Sequence, residues 1–156
     1  MEAEIHEFYL KGYPQQVYRV GLGELMPAER RETFPTTNYF DKTNQTGSLG
    51  FMDIGVRTRM VPVEYEGNHS SREKERRRVL AVLVIGIEPD YMRRALATQL
   101  VARAEKIAEE WDLSEVLIDT ITNPNATGLA RKLGYILYNC DTYGIKNVAK
   151  ARTILT

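Results

Sequence analysis

The amino-acid sequence predicts an α+β fold in a single domain. It is a mixed sheet with a central β-α-β crossover, preceded by a region over residues 1–50 with little regular patterning. Three observations carry that prediction. Val79-Leu-Ala-Val-Leu-Val-Ile-Gly-Ile87 is a nearly unbroken apolar run, the pattern of a strand covered on both faces. After Glu88-Pro89-Asp90, the residues Leu96, Leu100, Ala104, Ile107, Ala108 and Trp111 recur at helical spacing, while the charged residues fall mostly elsewhere. Glu115-Val-Leu-Ile-Asp-Thr-Ile121 then supplies a second apolar strand. Strand, helix and strand of these lengths make a crossover connection. The helices are too few for a doubly wound sheet.

The other elements follow in chain order. Glu4 to Leu10 and Gln15 to Leu22 read as short strands, and Pro27 to Thr33 as one or two helical turns. Pro35 to Gly50, rich in Thr, Asn and Gly and without periodicity, reads as a long loop. Phe51 to Tyr65 is extended, with Ile54, Val56, Thr58 and Met60 on one side. Pro62 has no N–H to donate and requires an edge position or a bulge there. Glu66 to Arg78, with its charge run Arg72-Glu-Lys-Glu-Arg-Arg-Arg78, reads as a solvated hairpin connection. Asn123-Pro-Asn125 opens a short helix that ends at Gly134, a residue suited to a left-handed cap. Ile136 to Tyr138 and Tyr143 to Leu155 supply the last strands.

Composition excludes several classes. At 43% hydrophobic and 27% charged residues, the chain is too apolar for intrinsic disorder. Its 21 basic and 21 acidic residues give no general attraction to nucleic acid or to an anionic membrane, so neither partner is expected. No run approaches the roughly 20 apolar residues that span a bilayer. The acidic start Met1-Glu-Ala-Glu-Ile-His6 lacks the features of a signal peptide. One cysteine, Cys140, allows no internal disulfide, so a cytoplasmic compartment is expected. Cys140 has no evident activating base. His6 and His69 have no metal-ligand spacing around them, and no metal is expected.

Chemistry concentrates after the central strand. The turn from Glu88 to Arg94 presents backbone N–H groups and the positive end of a helix dipole, a geometry that binds anions. Arg93 and Arg94 in the first helical turn are unfavourable there unless something negative, such as a phosphate, sits beside them. Asp119 is a carboxylate within an apolar strand, costly unless paired or facing solvent. It reads either as a strand residue at a cleft or helix edge, or as a base. Glu88, at the end of the central strand, is the second candidate base.

The apolar strand, the Glu88-Pro89-Asp90-Tyr91 turn, Met92-Arg-Arg-Ala-Leu-Ala-Thr-Gln-Leu100 and Asn123-Pro-Asn-Ala126-Thr-Gly-Leu129-Ala-Arg-Lys-Leu-Gly-Tyr135 together resemble the GNAT superfamily of N-acetyltransferases. The resemblance implies a GNAT-like mixed, mostly antiparallel sheet with an acyl-coenzyme A-binding core over residues 79–135, beside which residues 1–50 form an atypical N-terminal region. In that family a turn of pattern Arg/Gln-x-x-Gly-x-Gly/Ala cradles the pyrophosphate through backbone N–H groups. Its positions fall here on Met92, Ala95 and Ala97, with Arg93, Arg94 and Leu96 between them. Ala95 keeps the N–H and would support the cradle in a helical conformation. Asn123 and Ala126 match the family's Asn-x-x-Ala pair. Ala130 stands where many members carry a tyrosine that protonates the leaving thiolate.

The implied activity is acetyl transfer from acetyl-CoA, as co-substrate, to a small-molecule or protein amine. Glu88 or Asp119 would be the base, and strand N–H groups near Gly86 and Ile87 would polarise the thioester carbonyl. The joint departures at Met92, Ala95 and Ala130 set a second expectation. It is a non-catalytic GNAT-like fold with a structural, assembly or regulatory role, bound to a protein partner or to its own copies.

Overall fold

A computed structural model of the chain describes residues 4–10, 15–27, 45–62, 74–88, 91, 95–119, 121 and 124–149. Seven strands form one sheet: β1 (Ile5–Tyr9), β2 (Tyr18–Leu22), β5 (Gly50–Pro62), β6 (Lys74–Ile87), β7 (Glu115–Ile118), β9 (Tyr143–Asn147) and β8 (Ile136–Tyr138), in that spatial order. β3 (Leu25–Pro27) and β4 (Gln45–Gly47) pair as a separate two-stranded ribbon. Within the large sheet only β6 and β7 are parallel, joined through helix α1 (Leu96–Glu110); α2 (Pro124–Lys132) follows β7. The fold is α+β, mixed and mostly antiparallel, with one central crossover.

One face of the sheet holds the main core. Val20, Leu22, Met52, Ile54, Leu80, Val82 and Val116 pack against Leu96, Leu100, Val101, Ala104, Ile107 and Ala108 of α1. Complete burial of a side chain such as Leu100 contributes roughly 1.5–3 kcal/mol. The helix ends where Asp112 takes a left-handed φ of 57° and Leu113 donates its N–H to the Ala108 carbonyl. Arg103 locks α1 to the sheet edge by donating from Nε and Nη2 to the Glu7 carboxylate, which also accepts the Tyr18 hydroxyl at 2.9 Å.

On the opposite face lies a buried ion pair. Arg19 donates two hydrogen bonds to Asp53, at 2.7 and 2.9 Å, and its guanidinium carbon lies 4.4 Å from the Phe51 ring centroid. Both residues are 1% exposed. The ribbon crosses this face at a close contact of two glycines: a Cβ on Gly21 would lie 2.9 Å from the Gly47 nitrogen.

The sheet corrects two readings and shortens others. The stretch 35–50 is not loop throughout, because Gln45–Gly47 pairs with Leu25–Pro27 and Gly50 already belongs to β5. The charge run is not a hairpin tip beyond residue 73: Lys74–Arg78 pairs along β5 from Pro62 to Thr58. Its alternate basic residues stand on a strand, a placement that composition does not reveal. Pro62 lies at the far end of β5, beyond the segment paired with β2, as its missing donor requires. α1 spans 15 residues, about four turns rather than five. β7 ends at Ile118, and β9 at Asn147. The helical turns read over 27–33 fall mostly outside the described residues, as do Arg72 and His69. His6 is partly buried on β1.

Candidate active site

The site is set by two irregularities of β6. The first is a bulge. Ile54 pairs with Val82 and Asp53 with Val84, so Leu83 is an extra residue without a partner on β5. The bulge changes which residues face α1: Leu80 and Val82 do so before it, Ile85 and Ile87 after it. An unbroken apolar run conceals this change of parity, because every position in it is hydrophobic.

The second irregularity is a fork. β7 pairs with β6 only from Leu80 to Val82, and a final bond runs from the Asp119 N–H to the Val82 carbonyl at 3.3 Å. Beyond that point β6 continues to Ile87 with no β7 partner, and a V opens between the strands. Glu88 donates its N–H to the Leu49 carbonyl on the β5 side. By strand alternation the N–H groups of Ile87 and Ile85 point the other way, into the V. Gly86 turns its N–H toward β5, so of the two expected carbonyl donors only Ile87 faces the opening.

At the mouth of the V stands the N-terminus of α1. Leu96, Ala97 and Thr98 precede the first intrahelical bond, which runs from the Gln99 N–H to the Ala95 carbonyl at 3.0 Å. Among the described residues no side chain caps these groups, and no acidic residue lies in the first turn, so the positive end of the dipole favours an anion there. Ala95, the N-cap residue, is left-handed with φ 58° and ψ 22°. The expectation of a helical conformation there is therefore corrected. At this position the backbone takes the shape that glycine adopts without steric cost.

The candidate residues separate along the V. Asp119 is exposed at its apex beside the bulge, whereas Glu88 is half-buried at its mouth, where its carbonyl accepts the Tyr91 N–H at 2.8 Å. The two carboxylates do not converge. Ala126 lies on α2 and packs against the core, and Ala130 is buried there, so no hydroxyl comes from the tyrosine position. Met92, Arg93, Arg94 and Asn123 lie outside the described residues. Ile85, Thr98 and the Leu83 bulge escaped sequence reasoning. Thr98 alone carried a visible signal, a hydroxyl in the first turn of an uncapped helix.

Nearby, Tyr135 is buried with its hydroxyl unpartnered among the described residues. Burial, and then the Glu105 charge, push that hydroxyl far above the usual phenol range. Its position beside the Glu105–Lys146 ion pair of 2.6 Å makes it a packing residue of the α1–β9 seam. Cys140 is exposed and free, and the described residues hold no metal-binding cluster of His, Cys, Asp and Glu. None of the described helices is long and apolar enough to cross a membrane.

A sheet forked beside a bulge, with a helix N-terminus at the fork's mouth, is an architecture of the acetyltransferase class. The model of the acetyltransferase (GNAT) family matches residues 5–135, and the chain belongs to that family. Comparison with curated protein sequences gives no match. Among solved structures, a point mutant of the toxin AtaT is 8% identical, with a TM-score of 0.58, covering 95% of this chain and 93% of the other. AtaT complexed with acetyl-methionyl-tRNAfMet is 10% identical, with a TM-score of 0.51 and coverages of 85% and 70%. NAA60 of Arabidopsis thaliana in complex with a bisubstrate analogue is 15% identical, with a TM-score of 0.50 and coverages of 85% and 77%. At these identities the likeness is one of fold.

Proposed function

We propose that this chain is an acetyl-CoA-dependent N-acetyltransferase acting on a small-molecule or protein amine. The observation that carries the reading is the coincidence, at one end of β6, of the fork, the Leu83 bulge and the exposed Asp119. The pantetheine chain would lie in the V, accepting from the Ile85 and Ile87 N–H groups. The pyrophosphate would sit on the N–H groups of Leu96, Ala97 and Thr98, helped by Arg93 and Arg94 as charge-assisted donors. Met92, Ala95, Asn123 and Ala126 complete the coenzyme side on the family pattern.

In the reaction the amine nitrogen attacks the thioester carbonyl; a C–N bond forms and the C–S bond breaks. Asp119, directly or through water, takes the proton of the attacking amine. The coenzyme A thiolate leaves and is protonated from solvent. With a pKa near 8.5 a thiol leaves without a general acid, so Ala130 in place of tyrosine slows the step without forbidding it.

Calorimetric titration of the purified chain with acetyl-CoA tests the reading. Binding is expected, and Arg93→Glu with Arg94→Glu should abolish it. No heat at millimolar ligand would sink the enzyme assignment. Asp119→Asn should lower turnover by about a hundredfold or more while Glu88→Gln has a small effect. A non-catalytic binding role is the second reading, favoured by the buried Ala130; tight coenzyme binding with no transfer to any amine would select it.

A further inference from the structure

A second opening lies at the other end of α1 from the V. β2 pairs with β5 only as far as Tyr18 and Ile54, and among the described residues no backbone hydrogen bond joins 15–17 to 55–58. The strands part there, and the notch between them is a cavity of about 920 Å³, within the range of small-molecule sites. Trp111, which follows the last turn of α1, lines it. The 15 residues of the helix, about 22 Å, separate this notch from the helix N-terminus at the fork.

The notch has two halves of different chemistry. One is aromatic: Tyr18 makes edge-to-face contacts with Tyr9 and with Trp111, with ring centroids 4.9 and 5.4 Å apart. Tyr9 is 52% exposed, so its ring keeps surface open to a planar ligand. The side-chain amides of Gln15 and Gln16, two exposed residues, border this half. The other half is cationic. Arg78 is exposed on β6 and pairs across the strands with Thr58. Arg57 folds back along β5, donating from Nη1 to the Val56 carbonyl at 3.0 Å. Its guanidinium lies over Gly55, where a Cβ would stand 2.6 Å from Nη1, so the missing side chain is what admits it. Among the described residues neither arginine forms an ion pair, and no carboxylate lines the notch.

The chemistry of the two halves selects the ligand. Two uncompensated guanidinium groups beside a hydroxyl call for an anion, and the planar donor fork of arginine matches phosphate. Aromatic side chains bordered by amides suit a heteroaromatic ring whose edge carries donors and acceptors. We infer that the notch between β2 and β5 is a nucleotide-binding site, with the base against Tyr9 and Trp111 and the phosphate held by Arg57, Thr58 and Arg78. The site is separate from the V and does not depend on the transferase reading. Arg76 and Lys74 continue the Arg78 column along β6, so a free nucleotide and the phosphorylated end of a nucleic-acid strand offer it the same chemistry.

Trp111, the one tryptophan of the chain, supplies the readout. AMP titrated into the full chain should change Trp111 emission, with an affinity at least tenfold above that of adenosine or of inorganic phosphate, each of which fills one half. Arg78→Gln and Arg57→Gln should each weaken AMP binding about 3–10-fold, the loss of charge-assisted bonds at an open site. Gly55→Ala should do the same with every charge retained, because the new methyl displaces the Arg57 guanidinium. Arg93→Glu with Arg94→Glu should leave AMP affinity within threefold; its loss there would place the nucleotide in the V and overturn the site. A 5′-phosphorylated trinucleotide that binds at least tenfold more tightly than AMP, and loses that advantage in Arg76→Gln, would identify the strand as the source; equal affinity would identify the free nucleotide. No emission change at millimolar AMP, adenosine or phosphate binding as tightly as AMP, or an AMP affinity unmoved by Arg78→Gln and Arg57→Gln would overturn the inference.

Discussion

Ala95→Gly should stabilise the protein. Ala95 sits at φ 58° and ψ 22°, in the left-handed region, as the N-cap of α1. An L-residue with a Cβ loses roughly 1–2 kcal/mol in that conformation, through contact with the following carbonyl. Glycine removes the contact, but its unfolded chain has more freedom to lose, at a cost of about 0.5–1 kcal/mol. The difference leaves a gain of about 0.5–1 kcal/mol. For a chain of this length 1 kcal/mol moves the melting temperature by about 2–4 °C, so a rise of about 1–4 °C is expected in thermal unfolding followed by circular dichroism. Ala97→Gly is the matched control. Ala97 lies within the helix, where the same change should destabilise by about 1 kcal/mol. Opposite signs two residues apart would establish the left-handed backbone. A fall in melting temperature for Ala95→Gly comparable to that of the control would refute it.

Other expectations concern the ion pairs and the ribbon. Arg19→Met should destabilise by about 3–5 kcal/mol in urea titration, because Asp53 is left buried without its partner; adding Asp53→Leu should recover most of the loss. A double variant no better than the single one would show that the two side chains act separately. The Arg103 hydrogen bonds hold the Glu7 carboxyl below its ordinary value of 4.5 despite burial. The native state thus binds that proton less readily than the unfolded chain, and the stability Glu7 contributes is present above that ordinary value. It is lost as the pH falls through Glu7's own lowered value. The melting-temperature deficit of Glu7→Gln should accordingly narrow on acidification, and a deficit independent of pH would disprove the link. Gly47→Ala drives a methyl into the backbone of Leu22, so the ribbon must shift; a loss of at least about 1–3 kcal/mol is expected, and unchanged stability would contradict the close crossing.

The sequence by itself determined the crossover, because hydrophobic periodicity is a local property. A nine-residue apolar run, a helical stripe and a second apolar strand could fold in few other ways. The proposal of an anion-binding turn over Glu88 to Arg94 rests on the sequence as well, since that segment follows the strand directly and the family pattern falls on the same positions. Gly134, at φ 93°, occupies the left-handed cap that its missing side chain suits. The ribbon strand Gln45–Gly47 stayed hidden because its identity comes from pairing with Leu25–Pro27 and from the Gly21–Gly47 contact, not from its own residues. Lys74–Arg78 reads as solvated from charge alone, and only its register against β5 makes it a strand. Tertiary structure also decided the site. The bulge at Leu83 depends on which residue of β5 faces which of β6, and a uniformly apolar strand does not encode that in its pattern. The separation of Glu88 from Asp119 follows from where β7 parts from β6. Residues distant along the chain become neighbours only when the sheet closes.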